Sequence, residues 1–207
     1  MSWSGKTAAI ADILPQTVQL PYKIPGTTLL VHKLASYDGP YLEDGSNDEV
    51  QNVAALTVQN VGAYGLETAK ITMAQGDDTY CFEGEILPPG ETVLILEKDR
   101  KPFILQNSWT ACRGEQVASK GDWTAYRSIL VKPTAPGQLT VTNISAETVT
   151  DVILYYKDYL APPGILIGGI TYRTCVDTLR PGESVTISPW HYIWDQSTVI
   201  RIDIPED

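Results

Sequence analysis

Two short motifs occur twice in this chain and keep the same order. Residues 56–60 read LTVQN and residues 139–143 read LTVTN, while residues 87–91 read LPPGE and residues 179–183 read LRPGE. Each copy spans roughly 80 to 90 residues, which is much longer than the repeating unit of a solenoid or propeller. The sequence therefore predicts a tandem repeat of one domain, with a separate core in each copy.

The second copy is longer than the first, and a run rich in proline and glycine supplies the difference. The two motifs start 31 residues apart in the first copy and 40 residues apart in the second. Residues 161–169 read APPGILIGG. Because proline lacks a backbone N–H and glycine favours turns, this run is predicted to form a loop.

The hydrophobic pattern along the chain is typical of β-strands. Residues 56–59 and 200–204 alternate apolar and polar side chains, and residues 152–156, VILYY, are apolar throughout. Alternation indicates a half-buried strand, and an unbroken apolar run indicates a central one. A helical pattern is confined to residues 6–14. The fold class is therefore predicted to be all-β.

The residues that close the repeated motifs have structural roles. In each Pro-Gly pair, proline presets φ for the second turn position and glycine supplies the positive φ of the third, so the pair is predicted to lead into a strand. Asn60 and Asn143 end the LTV runs. There an Asn side chain can hold a tight turn by bonding to the backbone.

The repeated motifs belong to a longer pattern: a strand that ends in Asn, then an alternating strand, and then a Leu-x-Pro-Gly-Glu turn that leads into another strand. This pattern resembles the immunoglobulin-like modules of fibronectin III and CARDB type in bacterial extracellular proteins. With residues 37–40 (YDGP) and 168–172 (GGITY), most of the chain also resembles uncharacterised exported two-domain proteins of Gram-positive bacteria. The resemblance implies an all-β fold of two tandem immunoglobulin-like β-sandwich domains. It implies display outside the membrane behind an N-terminal anchor, and no activity.

The expected organisation has three parts. Residues 1–24 form an N-terminal extension, residues 25–125 a first sandwich with a C-terminal insert, and residues 126–207 a second sandwich. Within the insert, residues 98–126 have no counterpart after the second copy and are interpreted as an extra edge element or a binding loop. An extracellular or cell-surface location is expected if a signal or anchor precedes the given sequence, whose first residues do not resemble a secretory signal.

Charge and hydropathy limit the partners. The net charge of −10 is spread evenly over both copies, and no cluster of Lys and Arg suits a phosphate backbone or an anionic membrane surface. Nucleic acid is therefore not expected as a partner. No apolar run approaches the ~20 residues needed to cross a bilayer, so no membrane-spanning segment is expected.

No catalytic residue, metal ligand or cofactor is predicted. His32 and His191 lie far apart in the sequence, and the three cysteines form none of the close pairs typical of zinc sites. Residues 43–49 and 75–78 are acidic and could be calcium-binding loops, but their spacing is not that of a helix-flanked calcium loop. The alternative is a solvated turn.

The cysteines are ambiguous about redox compartment because their number is odd. Cys81 and Cys175 lie in equivalent regions before the two Pro-Gly turns and are predicted to fill cores. Cys112 lies in a loop-like stretch. A disulfide between Cys81 and Cys112 is the alternative to three reduced thiols.

Aromatic side chains are the main functional signal. Strict alternation over residues 190–194, WHYIW, would place the first, third and fifth side chains on one face. Exposed Trp and Tyr rings can bind sugars or anchor a protein interface, and the alternative is that they pack the cores and the domain junction. The candidate binding surface comprises Trp109, Trp123, Tyr172, Trp190, Tyr192 and Trp194.

These observations favour a non-enzymatic surface protein that mediates adhesion or assembles with an envelope protein, through a sheet edge or an aromatic patch. The alternative is a carbohydrate-binding module whose exposed Trp and Tyr residues bind a polysaccharide. A hydrolase would require paired carboxylates in a cleft. Open sheet edges would allow the protein to form oligomers.

Overall fold

The computed structural model describes residues 18–104, 109–119, 127–160 and 164–205, and within these ranges it contains strands, turns and loops but no helix. The strands are β1 (Tyr22–Lys23), β2 (Leu29–Pro40), β3 (Glu49–Asn60), β4 (Leu66–Gln75), β5 (Asp78–Leu87), β6 (Thr92–Leu96), β7 (Ala111–Ala118), β8 (Ile129–Ala135), β9 (Gln138–Asn143), β10 (Val149–Leu160), β11 (Ile165–Leu179), β12 (Ser184–Ile187) and β13 (Ser197–Asp203). The all-β prediction is confirmed.

The strands form three sheets. One has seven strands in the order β1-β2-β3-β6-β11-β10-β13, and the other two have three strands each, β5-β4-β7 and β12-β9-β8. Neighbouring strands are antiparallel except β6 and β11, which are parallel. Apolar side chains lie between the sheets, and the arrangement fits a β-sandwich.

Strand pairing follows one pattern twice. The trio β2-β3-β6 of the first half corresponds to β8-β9-β12 of the second half. In the same way, β5-β4-β7 corresponds to β11-β10-β13. The LTVQN motif ends β3 and the LTVTN motif lies in β9, so the sequence repeats fall on corresponding strands. Because β7 pairs with β4 as β13 pairs with β10, part of the expected insert has a counterpart after all.

Each half buries its own apolar cluster. In β3 and β9 the alternation that the sequence predicts is observed, with the apolar side chains buried and the intervening ones half-buried. Strand β10 is central in its trio, but its apolar run is buried on one face and half-buried on the other. Strand β13 departs from strict alternation, since its residues after the first are all half-buried.

The halves join through both backbone and side chains. Leu166 in β11 lies opposite Val93 in β6 and packs into the core of the first half. Arg201 Nη1 in β13 contacts Glu67 Oε1 in β4 at 2.7 Å, and its Nη2 contacts Asp203 Oδ2 at 2.6 Å. One continuous sheet and the packing of Leu166 into the core of the first half therefore connect the two halves.

A half-buried glutamate adds to this junction. Glu43, in the loop after β2, accepts hydrogen bonds from the backbone N–H of Leu96 at 2.7 Å and of Gly169 at 2.6 Å. A Cβ at Gly169 would overlap the carbonyl oxygen of Glu83, so only glycine allows β11 to approach β5 this closely. Burial raises the pKa of Glu43, because the charged carboxylate loses hydration.

A fully buried lysine, Lys157 in β10, binds the same segment of β11. Lys157 Nζ donates to the carbonyl oxygens of Gly168 at 2.9 Å, Gly169 at 3.0 Å and Ile170 at 2.5 Å. Burial lowers the pKa of Lys157, while the nearby Glu43 carboxylate opposes that shift. Three carbonyl acceptors match the three donors of an ammonium group, which satisfies a charge that would otherwise be costly to bury.

Three local predictions are corrected. Residues 165–169 are part of β11 rather than of a loop, because their backbone pairs with β6 and β10. Cys175 is exposed and Cys81 half-buried, since these positions in β11 and β5 point away from the cores. Cys112 is buried in β7, and burial raises its pKa to about 12; all three thiols are free.

The acidic loop over residues 43–49 has a structural explanation. Arg100 Nη2 donates to Asp44 Oδ2 at 2.7 Å and to Asp48 Oδ2 at 3.2 Å. Glu43 accepts a hydrogen bond from the Leu96 amide. The carboxylates of Glu43, Asp44 and Asp48, which the sequence suggested as calcium ligands, therefore bind groups of the protein and hold the loop against the first half. The second acidic segment is the tight turn between β4 and β5.

Candidate functional site

A cleft of about 620 Å³ lies where the two halves meet. Its walls come from the turn before β6, from β8 and β9, from the adjoining ends of β10 and β11, and from β13 and the segment that precedes it. The volume is in the range of small-ligand sites, which is ~300–1,000 Å³. The polar and aromatic residues that line it include Glu91, Tyr159, Tyr192, Trp194, Asp195 and Ser197.

Residues 189–196, which we call the aromatic turn, form one wall of this cleft. The segment consists of turns, and strict strand alternation therefore does not apply to it. Backbone bonds close it, from the N–H of Tyr192 to the carbonyl of Pro189 at 3.3 Å and from the N–H of Ser197 to the carbonyl of Ile193 at 2.9 Å. The Tyr156 hydroxyl also donates to the carbonyl of Trp190.

A polar pair fixes the end of the aromatic turn. Ser197 Oγ accepts from the N–H of Ile193 at 2.9 Å and donates to Asp158 Oδ1 at 2.5 Å. Burial raises the pKa of Asp158, and the hydrogen bond from Ser197 opposes this rise by stabilising the carboxylate. The turn is thus attached to β10 through side chains as well as through the main chain.

Ring contacts connect the aromatic turn to the core of the second half. Tyr156 packs edge-on against Tyr192 with centroids 5.8 Å apart and stacks on Tyr172 at 5.7 Å. Tyr172 stacks in turn on His191 at 4.9 Å, and His191 contacts Trp190 at 3.8 Å. This row of rings begins in the core of the second half and ends at the surface.

The six aromatic residues of the predicted surface lie in different environments. Trp190 is 76% exposed and Trp194 is 37% exposed, whereas Tyr192 is buried. Tyr172 is half-buried within the row of rings. Trp109 is buried in the first half, edge-on to Tyr80 at 5.6 Å, and Trp123 lies outside the described residues. The structure therefore brings together the residues of the aromatic turn and Tyr172, but not Trp109.

Two residues of the turn have unusual backbone conformations. His191 has φ of 59° and Asp195 has φ of 63°, in the left-handed region that non-glycine residues rarely adopt. Such conformations persist only where surrounding contacts enforce them, and they cluster at binding and catalytic sites. Each of the two residues directly follows an exposed tryptophan, Trp190 or Trp194, while Tyr192 between them is buried.

Glu91, which the first half contributes to the cleft, differs from Glu183, its counterpart in the second copy. Glu183 Oε2 accepts from the N–H of Arg180 at 2.8 Å, so its side chain closes its own turn. In the first copy Pro88 occupies the position of Arg180 and has no N–H to donate. The Glu91 side chain is exposed and lines the cleft instead.

Sequence reasoning did not select Glu91, Tyr159, Asp195 or Ser197. For Glu91 a signal existed, because the change from LRPGE to LPPGE removes the donor that holds the corresponding Glu. No local sequence pattern marks Tyr159, Asp195 or Ser197. These residues come together only because β10 pairs with β13 beside the aromatic turn. Long-range pairing of this kind cannot be obtained from local pattern alone.

Within the described ranges, His, Cys, Asp and Glu side chains form no group of three or more able to hold a metal ion. In the same ranges no helix has the length and apolar character needed to cross a bilayer. Comparison of the sequence with protein-family models gave no match, and comparison with curated proteins gave none.

Proposed function

We propose that this chain is a non-enzymatic binding protein of two tandem immunoglobulin-like sandwiches that acts at the cell surface and assembles with an envelope protein. The observation that carries the proposal is the aromatic turn beside the cleft. Trp190 and Trp194 are exposed on a segment that hydrogen bonds from the Tyr156 hydroxyl and to the Ser197 side chain attach to the second half. Large rings on a rigid support give contact area at low entropic cost, as in protein interfaces.

Apolar neighbours extend this surface. Ile193 lies within the turn and Leu160 follows the cleft residue Tyr159, and both aliphatic side chains are exposed. Exposed apolar groups beside aromatic ones are typical of interaction sites. The immunoglobulin-like assignment rests on the repeated strand trios and on the resemblance of the motifs.

The test is capture of a partner from an envelope-protein extract by the immobilised chain. We expect one protein to be retained by the wild type and lost with Trp190→Ala/Trp194→Ala, because the two rings supply the contact. Tyr64→Ala is the matched control, since Tyr64 is 75% exposed but belongs to the loop between β3 and β4 and not to the aromatic turn. Retention by the double variant equal to that by the wild type would contradict the proposal.

A carbohydrate-binding module is the second candidate, and the composition of the cleft favours it. Tyr159 and Trp194 provide ring surfaces, while Asp195, Ser197 and Thr198 provide groups that hydrogen-bond to hydroxyls. Retention on insoluble polysaccharide or peptidoglycan, reversed by a soluble competitor, would support this candidate. Release of soluble sugar fragments during incubation would contradict a non-enzymatic role in either case.

A further inference from the structure

The cleft carries negative charge that no neighbouring group neutralises. Glu91 and Asp195 line it from opposite halves of the chain, and both are exposed. In the described part of the chain neither side chain takes part in an ion pair or hydrogen bond, and the cleft residues include no Lys, Arg or His. The net charge of −10 adds to the negative potential in the cleft.

Some acidic groups elsewhere in the described structure are in ion pairs, whereas others, such as Glu115, are exposed without one. Glu83 contacts the ammonium groups of Lys70 at 3.1 Å and Lys98 at 2.9 Å. Asp44 and Asp48 share Arg100, as described above. What distinguishes the cleft is that two carboxylates without an ion pair line one concave site, where a cation from another molecule would meet both.

The aromatic residues suit the same kind of ligand. Tyr159, Tyr192 and Trp194 line the cleft with the two carboxylates. The face of an aromatic ring attracts a cation, and Trp does so most strongly. Asp195 is also held at positive φ, so its carboxylate projects from a constrained backbone rather than from a freely adjusting one.

We infer that the cleft binds a lysine or arginine side chain presented by a protein partner, an inference that rests on the proposed function and names the chemistry of its ligand. The ammonium or guanidinium group would lie between Glu91 and Asp195, with its alkyl stem along the rings. The exposed aliphatic side chains of Leu160 and Ile193 favour an apolar protein surface around that anchor over a glycan.

The probe is the short peptide Ac-Ala-Leu-Lys-Leu-Ala-amide, titrated into the full chain while the indole NMR signals of the tryptophans are followed. Parallel titrations use the same peptide with arginine, ε-N-acetyl-lysine or glutamate at the central position. We expect the lysine and arginine peptides to shift the Trp194 signal and to bind about tenfold more tightly than the acetylated one. The glutamate peptide is expected not to bind.

Variants test which carboxylates act. Glu91→Gln and Asp195→Asn are each expected to weaken lysine-peptide binding by about threefold to tenfold and to reduce its dependence on salt. Glu115→Gln removes the same charge from an exposed position on β7, outside the cleft, and is expected to leave binding unchanged. All three positions are exposed, so the fold should be retained in each variant.

Three results would overturn the inference. The first is equal affinity for the acetylated and free lysine peptides. The second is the absence of lysine-peptide binding at millimolar concentration. The third is binding of a glucosamine tetramer by a chain that does not bind the lysine peptide. The proposed function fails separately. Capture of an envelope protein that depends on Trp190 and Trp194 but not on Glu91 or Asp195 would retain that function and reject a basic anchor in the cleft.

Discussion

Asn60 and Asn143 occupy corresponding positions in the two halves, and three of their side-chain hydrogen bonds follow the same pattern. Each side-chain oxygen accepts from the backbone N–H two residues later, at 3.1 Å and 2.9 Å. Each amide donates to the carbonyl four residues later, at 2.9 Å and 2.7 Å, and to the carbonyl of Leu87 or Leu179. Both residues are completely buried. The repeated Asn thus connects the end of one strand to the LxPGE turn in each half.

Replacing either Asn by Ala should destabilise the protein by about 2–4 kcal/mol, because buried backbone groups lose their partners. Denaturant unfolding followed by fluorescence and by circular dichroism would measure the change. Since one sheet runs through both halves and Leu166 of the second half packs into the core of the first, we expect each variant to unfold in a single transition with a lower midpoint. Two separate transitions, with only the mutated half affected, would contradict this coupling.

The junction at Gly169 should tolerate no larger residue. Gly169→Ala places a Cβ against the Glu83 carbonyl and the Glu43 carboxylate, and we expect a loss of about 3 kcal/mol or more. Gly76→Ala is the matched control, because φ there is 59° but the space is open; its cost should be about 1–2 kcal/mol. Similar urea midpoints for the two variants would show that β11 and β5 are not in close contact.

The half-buried side chain of Glu43 should make stability fall as pH rises. Burial raises its pKa from 4.5 to about 7, so over this interval the folded state binds more protons than the unfolded state. The unfolding free energy contributed by this group therefore decreases between about pH 4.5 and 7. In Glu43→Gln, unfolding measured across this interval should show a shallower decline than the wild type, on a lower overall stability. Parallel pH curves would contradict the assignment.

Gln75, at the end of β4, is a buried polar residue. Both polar atoms of its amide are buried, and neither has a hydrogen-bond partner in the part of the chain that the structure describes. Gln75→Met keeps the shape and removes the desolvated groups, so we expect a gain of about 1–3 kcal/mol in chemical denaturation. A lower unfolding free energy for Gln75→Met would mean that the amide is bonded after all.

The sequence allowed some of these features to be predicted and not others. The two Asn turns and the strands beside them follow from local rules, since alternation and Asn-backbone bonding act within a few residues. The bond between Glu43 and Gly169 joins residues 126 positions apart, and no local pattern indicates it. Strict alternation over residues 190–194 fails because a chain of turns, rather than a strand, carries these residues.

The most direct test of the central claim compares stability with binding for the residues of the aromatic turn. Trp190→Ala/Trp194→Ala should lose less than about 1.5 kcal/mol in denaturant unfolding and lose capture of the envelope partner, because both rings are at the surface. Tyr192→Ala should lose about 3–5 kcal/mol, because that ring is in the core. A double tryptophan variant that unfolds as easily as Tyr192→Ala, or that captures the partner as the wild type does, would contradict the account.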